Sequence, residues 1–413
     1  MSALARLLHK EGCKVSGSDS TKSATTELLA KEEINVNFCT NLPAVERAET
    51  IVVSSAIPND NEELVYAKKL GKKIMGRGEL LGKIASKYHN VIAVSGAHGK
   101  TTTTALIASI FESAGKQPTV HIGGLLCEYD SNLILGKQDY FITEACEYKD
   151  NFLYLKPTFG VVLNVEAEHL DYFKTFEGVK CSFKRFVSQC EYCIAPSGFG
   201  GNLPKFSAKC IKEDECGLHL KLYREGKFYA KVDCGLFGLH NVTNIIAAVD
   251  CADYFRVSKE VVVQGLKAFK GVKRRYEQYR LGKGKVIFDY AHHPTEIVKS
   301  IEVTRRYCKG RLTVIFQPHT YSRTKMLFND FVNCFGSKVD NMIVFKTYSA
   351  REPYDFQGDA KRLCEVLSLS RDCKFSEDYT LLETIKSSLA QDDIVLVLGA
   401  GDFYDKVNFN ILD

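Results

Sequence analysis

One stretch restricts the fold more than any other: VIAVSGAHGKTTTTALIASIFESAG, residues 91–115. An apolar run reads as a buried strand. A glycine pair follows, then Lys100 and four threonines, then an apolar-patterned helix. A strand, a glycine-rich turn and a helix opening on Lys-Thr form a phosphate cradle. The glycines let backbone N–H groups approach phosphate oxygens, and the helix N-terminus adds partial positive charge. In such a cradle Lys100 reaches the outer phosphates of a nucleoside triphosphate, and the Thr101 hydroxyl ligates Mg²⁺. The match to GxxxxGK[ST] is imperfect, because Val94 stands where the first glycine belongs. The core GAHGKT, residues 96–101, is intact. A structural turn with a chance GKT is the competing reading; the flanking strand and helix favour the cradle.

Around this motif, strand-like and helix-like segments alternate. TIVVSSAI (50–57) leads to the helical EELVYAKKL (62–70), then KKIMG (72–76), then a helical run to about residue 87. This is βαβ grammar and implies parallel sheet. The block from 89 to 271 holds the cradle, the strands DYFITEA (139–145) and FGVVLNV (159–165), and helical patterns at 240–255 and 258–269. The last block repeats strands at 285–291, 311–317, 341–346 and 393–399, with helices between them. The expected class is therefore α/β in three domains: a Rossmann-like domain 1–88, a central P-loop domain 89–271 and a Rossmann-like domain 272–413. The start, helix-like MSALARLLHKEG then strand-like CKVSGSD, reads as the second half of a nucleotide-binding βαβ unit. Either a first strand and glycine turn lie upstream of Met1 or the domain is abridged.

Composition excludes some function classes. Lys and Arg number 55 against 50 Asp and Glu, a formal charge of only +5, without a long basic run. That argues against nucleic acid as a partner. No apolar run reaches the roughly 18 residues a bilayer span needs, so no stable membrane association is expected. Fifteen cysteines are scattered without a framework. With no signal-peptide layout at the start, they read as reduced thiols of a cytoplasmic protein. Cys190 and Cys193 form a lone CxxC without a second ligand pair at zinc spacing.

Polar clusters follow the strands. Glu144 and Glu147 stand just beyond one strand end, and Glu166, Glu168, His169 and Asp171 beyond the next. In open α/β sheets ligands sit outside the carboxyl ends of strands, and Mg²⁺ on a triphosphate takes one or two carboxylates. Singly, each acid reads as a solvated loop residue; together, after a cradle, they read as a metal side. The last block adds KGVKRRYE (270–277), FDYAHHPTEI (288–297), FQPHTYSRT (316–324) and GAGD (399–402). Arginine in such clusters suits carboxylate or phosphate, which its planar fork binds bidentately.

GAHGKTTTT, NVEAEHLDYF, GLHNVTNIIAA, GVKRRYE, DYAHHPTE, FQPHTYSRT and GAGD occur here in the order found in the Mur ligases, and the chain resembles that family along essentially its whole length. The resemblance implies ATP-dependent joining of L-alanine to the lactyl carboxylate of UDP-N-acetylmuramate through an acyl phosphate, in peptidoglycan synthesis. It implies ATP held by Gly96, Ala97, His98, Gly99, Lys100, Thr101 and Thr102, with His240 and Asn241 on the adenine side. Arg275 faces the phosphates and Asp289 the ribose; Thr101, Glu144 and His169 hold Mg²⁺. His292, His319 and Arg323 border the amino-acid pocket, and Asp19, Ser54 and Ser55 the UDP-sugar. The residues implied to be catalytic are Lys100, His169, Arg275, His292 and Arg323. A monomer or homodimer is expected. Ala97 and Thr320 depart from the threonine and arginine common in the family. A muropeptide-recycling or folylpolyglutamate-type ligase, or a non-catalytic ATP-binding descendant, are the alternatives.

Overall fold

The computed structural model describes the whole chain except Ser337, Arg351, Asp413 and the side chain of Asp171. It divides into two compact units. The first comprises Met1–Lys209, Lys221–Val232 and Thr243–Phe269; the second comprises Cys210–Leu220, Asp233–Val242 and Lys270–Asp413.

The first unit opens with helix Ser2–Lys10 and two separate two-stranded parallel sheets. Strand Ser16–Ser18 pairs with Asn35–Asn37, and Thr50–Val53 pairs with Lys73–Gly76. Each pair is joined through helices, as parallel strands require. The caps are written in the sequence. Ser23 starts helix Ala24–Lys31 with a reciprocal capping box to Thr26, and the Asn61 side chain accepts from the Leu64 amide ahead of helix Glu62–Lys69.

Six strands form the main sheet of this unit. Their spatial order is Tyr192–Ile194, Phe159–Val162, Asn90–Ser95, Tyr140–Glu144, Thr119–Leu126, Ser131–Ile134. All neighbours run parallel except the last pair. Val91–Val94 are buried on both faces, which is why this strand reads as a continuous apolar run rather than an alternation. Helix Lys100–Ser113 leaves this central strand and packs on helix Lys259–Ala268. The crossing is close: a Cβ on Gly265 would lie 2.6 Å from the Ile110 Cα, and the Ser109 hydroxyl donates to the Gly265 carbonyl at 2.8 Å.

The second unit carries another six-stranded sheet. Its order is Glu277–Leu281, Gly284–Asp289, Ile394–Leu398, Leu312–Phe316, Asn341–Phe345, Cys373–Ser376. Only the first pair is antiparallel. Apolar clusters cover both faces, one around Val314, Phe316 and Leu396, the other around Phe288, Val395 and Phe403. The register sets Asp289 opposite Leu398 and Leu398 opposite Phe316. The loops after these three strands therefore leave the sheet side by side. A three-stranded sheet, Phe206–Asp214, Gly217–Arg224 and Lys227–Cys234, contributes segments to both units.

Candidate functional site

The glycine turn has the conformation its residues allow. Gly96 has φ 137° and Gly99 φ 87°, values that favour glycine. Space forbids a side chain at Gly99 as well, since its Cβ would lie 2.4 Å from the Asn244 Oδ1. Asn164, just after strand Phe159–Val162, ties the turn down. Its side chain accepts from the His98 amide at 2.8 Å and donates to the His98 carbonyl at 3.0 Å, and its carbonyl accepts from the Ala97 amide at 3.3 Å. The His98 ring reaches Glu166 at 3.3 Å.

Lys100 opens the helix and folds back over the turn. Its ammonium donates to the Gly96 and Ala97 carbonyls and to both Glu147 oxygens, at 3.2 and 3.3 Å. Burial alone pulls a lysine pKa down; Glu147, with Cys146 and Glu144, outweighs it and leaves Lys100 above its ordinary value. For Glu147 burial pushes up, yet the hydrogen bond with His169 and the charge of Lys100 hold it below the usual range. His169 stands in the left-handed region with φ 56° and puts its Nε2 3.4 Å from Glu147. Ligand atoms of Glu147, Glu168 and His169 all lie within 4.8 Å of one another. Two carboxylates and an imidazole on a phosphate cradle suit a divalent cation. Thr101 and Thr102 are buried in the first helical turn.

Glu144, whose charge also acts on Lys100, accepts from the Gly123 amide at 2.6 Å. Asp19, Ser54 and Ser55 follow strands Ser16–Ser18 and Thr50–Val53, at the carboxyl ends of the two small sheets. Asp19 accepts from the Thr21 amide, Ser54 from the Ala56 amide, and the Ser55 carbonyl from Lys149.

In the second unit the aligned strand ends gather the remaining residues. Ser300 and the Ala291 amide donate to Asp289, so this carboxylate braces its own loop; burial raises its pKa against Ser300 and Arg275. The His292 Nδ1 donates to the Tyr290 carbonyl at 2.9 Å. Its ring lies 6.0 Å from that of His319, whose Nδ1 accepts from Arg323 at 3.2 Å. Burial, reinforced by Arg323, lowers both imidazoles to about 4. They stay neutral among charges of both signs, Arg323 and Arg275 on one side and Glu296 and Glu352 on the other. Arg275 lies over the Tyr290 ring at 5.0 Å. Its neighbour Arg274 donates to the Gly399 and Gly401 carbonyls, so GAGD is a brace for the arginine pair. Asn241 donates to the Phe237 carbonyl at 2.7 Å and lies 3.2 Å from His240.

The structure thus brings Lys100, Thr101 and His169 to one place, and Asp289, His292, His319 and Arg323, with Arg275, to another. Sequence reasoning passed over Asn164 and left Glu147 outside the assigned site. Both lie within motifs already singled out, NVEAEH and FITEACEYKD, at strand ends. The side chain of Asp171 lies outside the described residues. Cys190 and Cys193 gather no third ligand: among the described residues the group that could hold a metal is the one at Glu147.

The chain resembles known proteins along nearly its whole length. The model described as Mur ligase family, catalytic domain, matches residues 1–89; that of the Mur ligase middle domain matches residues 94–197; that of the Mur ligase, glutamate ligase domain, matches residues 274–401. A UDP-N-acetylmuramate–L-alanine ligase of Clostridium acetobutylicum is 36% identical over 428 residues, covering 98% of this chain and 93% of that protein. One of Caldanaerobacter subterraneus is 37% identical over 435 residues, with the same coverage. The crystal structure of the UDP-N-acetylmuramate-alanine ligase of Thermotoga maritima matches with a TM-score of 0.84 at 24% identity, over 98% of this chain and 94% of that one. A murein peptide ligase of Psychrobacter arcticus matches with a TM-score of 0.70 at 21% identity and the same coverage. These solved structures share the three-domain α/β fold, and identity above a third over nearly the full length goes further than fold. With family models matched in all three parts of the sequence and relatives more than a third identical along nearly its whole length, the chain belongs to the Mur ligase family.

Proposed function

We propose that this chain joins L-alanine to the lactyl carboxylate of UDP-N-acetylmuramate, with ATP converted to ADP and phosphate. The observation that carries the reading is the Lys100–Glu147–His169 constellation on the glycine turn, in a chain 36% identical over 98% of its length to a UDP-N-acetylmuramate–L-alanine ligase. The lactyl carboxylate attacks the γ-phosphorus and the bond to the bridging oxygen breaks, giving an acyl phosphate and ADP. The alanine amine attacks the acyl carbon; the C–O bond breaks, phosphate leaves and the amine loses a proton.

Each group has a task in that sequence. Lys100 exchanges loop carbonyls for phosphate oxygens and neutralises charge on them. Gly96, Ala97, His98, Gly99 and Thr102 line the phosphate path, and the family resemblance assigns Arg275 to the same charge. Glu147, Glu168 and His169 would hold Mg²⁺, with Thr101 and Glu144 adjoining; that ion supplies further charge neutralisation when bound. Arg323 takes the alanine carboxylate, aimed by His319. His292 presents an uncharged Nε2 to the amino-acid pocket, its Nδ1 being committed to the Tyr290 carbonyl. His240 and Asn241 attend the adenine and Asp289 the ribose. Asp19, Ser54 and Ser55 attend the UDP-sugar.

Residues 1–88 are then the UDP-sugar domain, 89–271 the ATP domain and 272–413 the amino-acid domain. Among the described residues no helix is long and apolar enough to cross a membrane. On the reading proposed, the chain works in the cytoplasm as a monomer or homodimer. The test is ADP release by the purified chain with ATP, Mg²⁺ and UDP-N-acetylmuramate, against single amino acids. Release that requires both the UDP-sugar and L-alanine is the expected result. Release indifferent to either would overturn the assignment.

A further inference from the structure

Arg77 is placed in a way that fold stability does not explain. It is the first residue of helix Arg77–Ala85, where a cation opposes the helix dipole. Its guanidinium is half-buried, and among the described residues no carboxylate pairs with it. Among the described residues its hydrogen bond goes to His121 Nε2, at 3.5 Å.

That bond ends an ordered relay. The Thr143 hydroxyl donates to the Glu144 carbonyl at 3.1 Å, so it must accept from the His121 Nδ1–H, at 2.9 Å. The tautomer so chosen leaves the His121 Nε2 as an acceptor for Arg77. His121 is fully buried and burial, with Arg77 second, lowers it to about 3, which keeps it an acceptor. The relay aims the guanidinium without neutralising it and leaves most of its five N–H donors unused. A half-buried, oriented guanidinium with no carboxylate partner among the described residues suits an anion that arrives with substrate.

We infer that Arg77 is a substrate-binding residue that takes an anionic group of the UDP-sugar, its lactyl carboxylate or its diphosphate, with His121 and Thr143 as positioning residues. The inference rests on the function proposed above. Its test begins with binding of UDP-N-acetylmuramate to the wild-type chain without ATP, by calorimetry, and with ADP release. Arg77→Ala should raise the Kd and the KM for UDP-N-acetylmuramate at least tenfold and leave the KM for ATP within twofold. Arg77→Lys should recover part of the loss, and so should guanidinium added to Arg77→Ala. UDP-N-acetylglucosamine, which has the diphosphate and no lactyl carboxylate, separates the sources. A Kd for it unchanged by Arg77→Ala assigns the carboxylate; a Kd raised in parallel assigns the diphosphate. A folded Arg77→Ala with unchanged Kd and KM for UDP-N-acetylmuramate overturns the inference while the function stands. A wild-type chain that neither binds nor turns over the UDP-sugar removes both.

Discussion

The Lys100 ammonium stands 3.2 Å from the Glu147 carboxylate, with 18% of the lysine side chain and 4% of the glutamate side chain exposed. Desolvation opposes both charges, yet the lysine is shifted up and the glutamate down. Attraction and hydrogen bonding therefore outweigh burial in the pair. Glu147→Gln keeps the shape and removes the charge, leaving Lys100 a buried cation bonded chiefly to loop carbonyls. The expected outcome is a fall in kcat/KM for ATP of about 100-fold, or roughly 2.7 kcal/mol of transition-state stabilisation. Stabilisation of the fold by ADP with Mg²⁺, read as a rise in Tm, should shrink in parallel. Glu144→Gln is the comparison. It leaves the Lys100 pair in place and should cost less; an equal loss would show that Glu147 has no special claim on the lysine.

A pH dependence follows from the two C-terminal histidines. Folding lowers His292 and His319 to about 4, below the usual value near 6.5. Between those limits the unfolded chain binds a proton at each site and the native chain does not. Stability therefore rises with pH across this window and is lost as pH falls from about 6.5 towards 4. Each histidine contributes a slope of up to about 1.4 kcal/mol per pH unit. Buried His121, lowered to about 3, acts in the same sense. Denaturant melts between pH 4 and 7 check this. The His292→Asn, His319→Asn double variant should show a flatter pH profile; a slope as steep as wild type would place the acid sensitivity elsewhere.

How much of this was legible beforehand differs from element to element. Buried parallel strands announce themselves as short apolar runs, so Asn90–Ser95, Leu312–Phe316 and Ile394–Leu398 lie within a residue or so of their expected bounds. Lys100 is legible because its motif is local. Glu147 is harder. It and Glu144 both follow the same strand; which one meets Lys100 depends on how the chain leaves the sheet, including left-handed turns at Lys149 and Asp150. The adjacent Arg274 and Arg275 pose the same problem. A left-handed Arg274, φ 60°, sends its guanidinium to the Gly399 and Gly401 carbonyls, 125 and 127 residues away. No local pattern encodes that choice. The sheet Phe206–Cys234 was readable in principle: GLHLKLYR alternates apolar and polar residues and is bounded by turn residues.

Gly265 tests the packing beneath the cradle. Helix Lys259–Ala268 passes so near helix Lys100–Ser113 that a methyl at Gly265 would meet backbone, the Ile110 Cα at 2.6 Å. Helix propensity alone favours alanine over glycine by up to about 1 kcal/mol. The overlap acts against that and must move a helix. Gly265→Ala is expected to destabilise by a net 1–3 kcal/mol, in the range of overpacked cores. Because the displaced helix begins at Lys100, ATP binding should weaken as well. A variant with raised Tm would show that the two helices separate without strain.

Arg323 tests the amino-acid pocket apart from the phosphate cradle. The Thr320 side chain caps the short helix Tyr321–Met326, and the His319 Nδ1 accepts from the Arg323 guanidinium at 3.2 Å. Cap and acceptor together fix where the fork points. Lysine keeps the charge but offers a single ammonium, which cannot match a carboxylate bidentately. Arg323→Lys is therefore expected to raise the KM for L-alanine by 10- to 100-fold, about 1.4–2.7 kcal/mol, with the KM for ATP unchanged. His319→Ala removes the acceptor and leaves the arginine, so it should raise the same KM by a smaller factor. An Arg323→Lys variant that instead lost affinity for ATP would move this arginine from the amino acid to the phosphates.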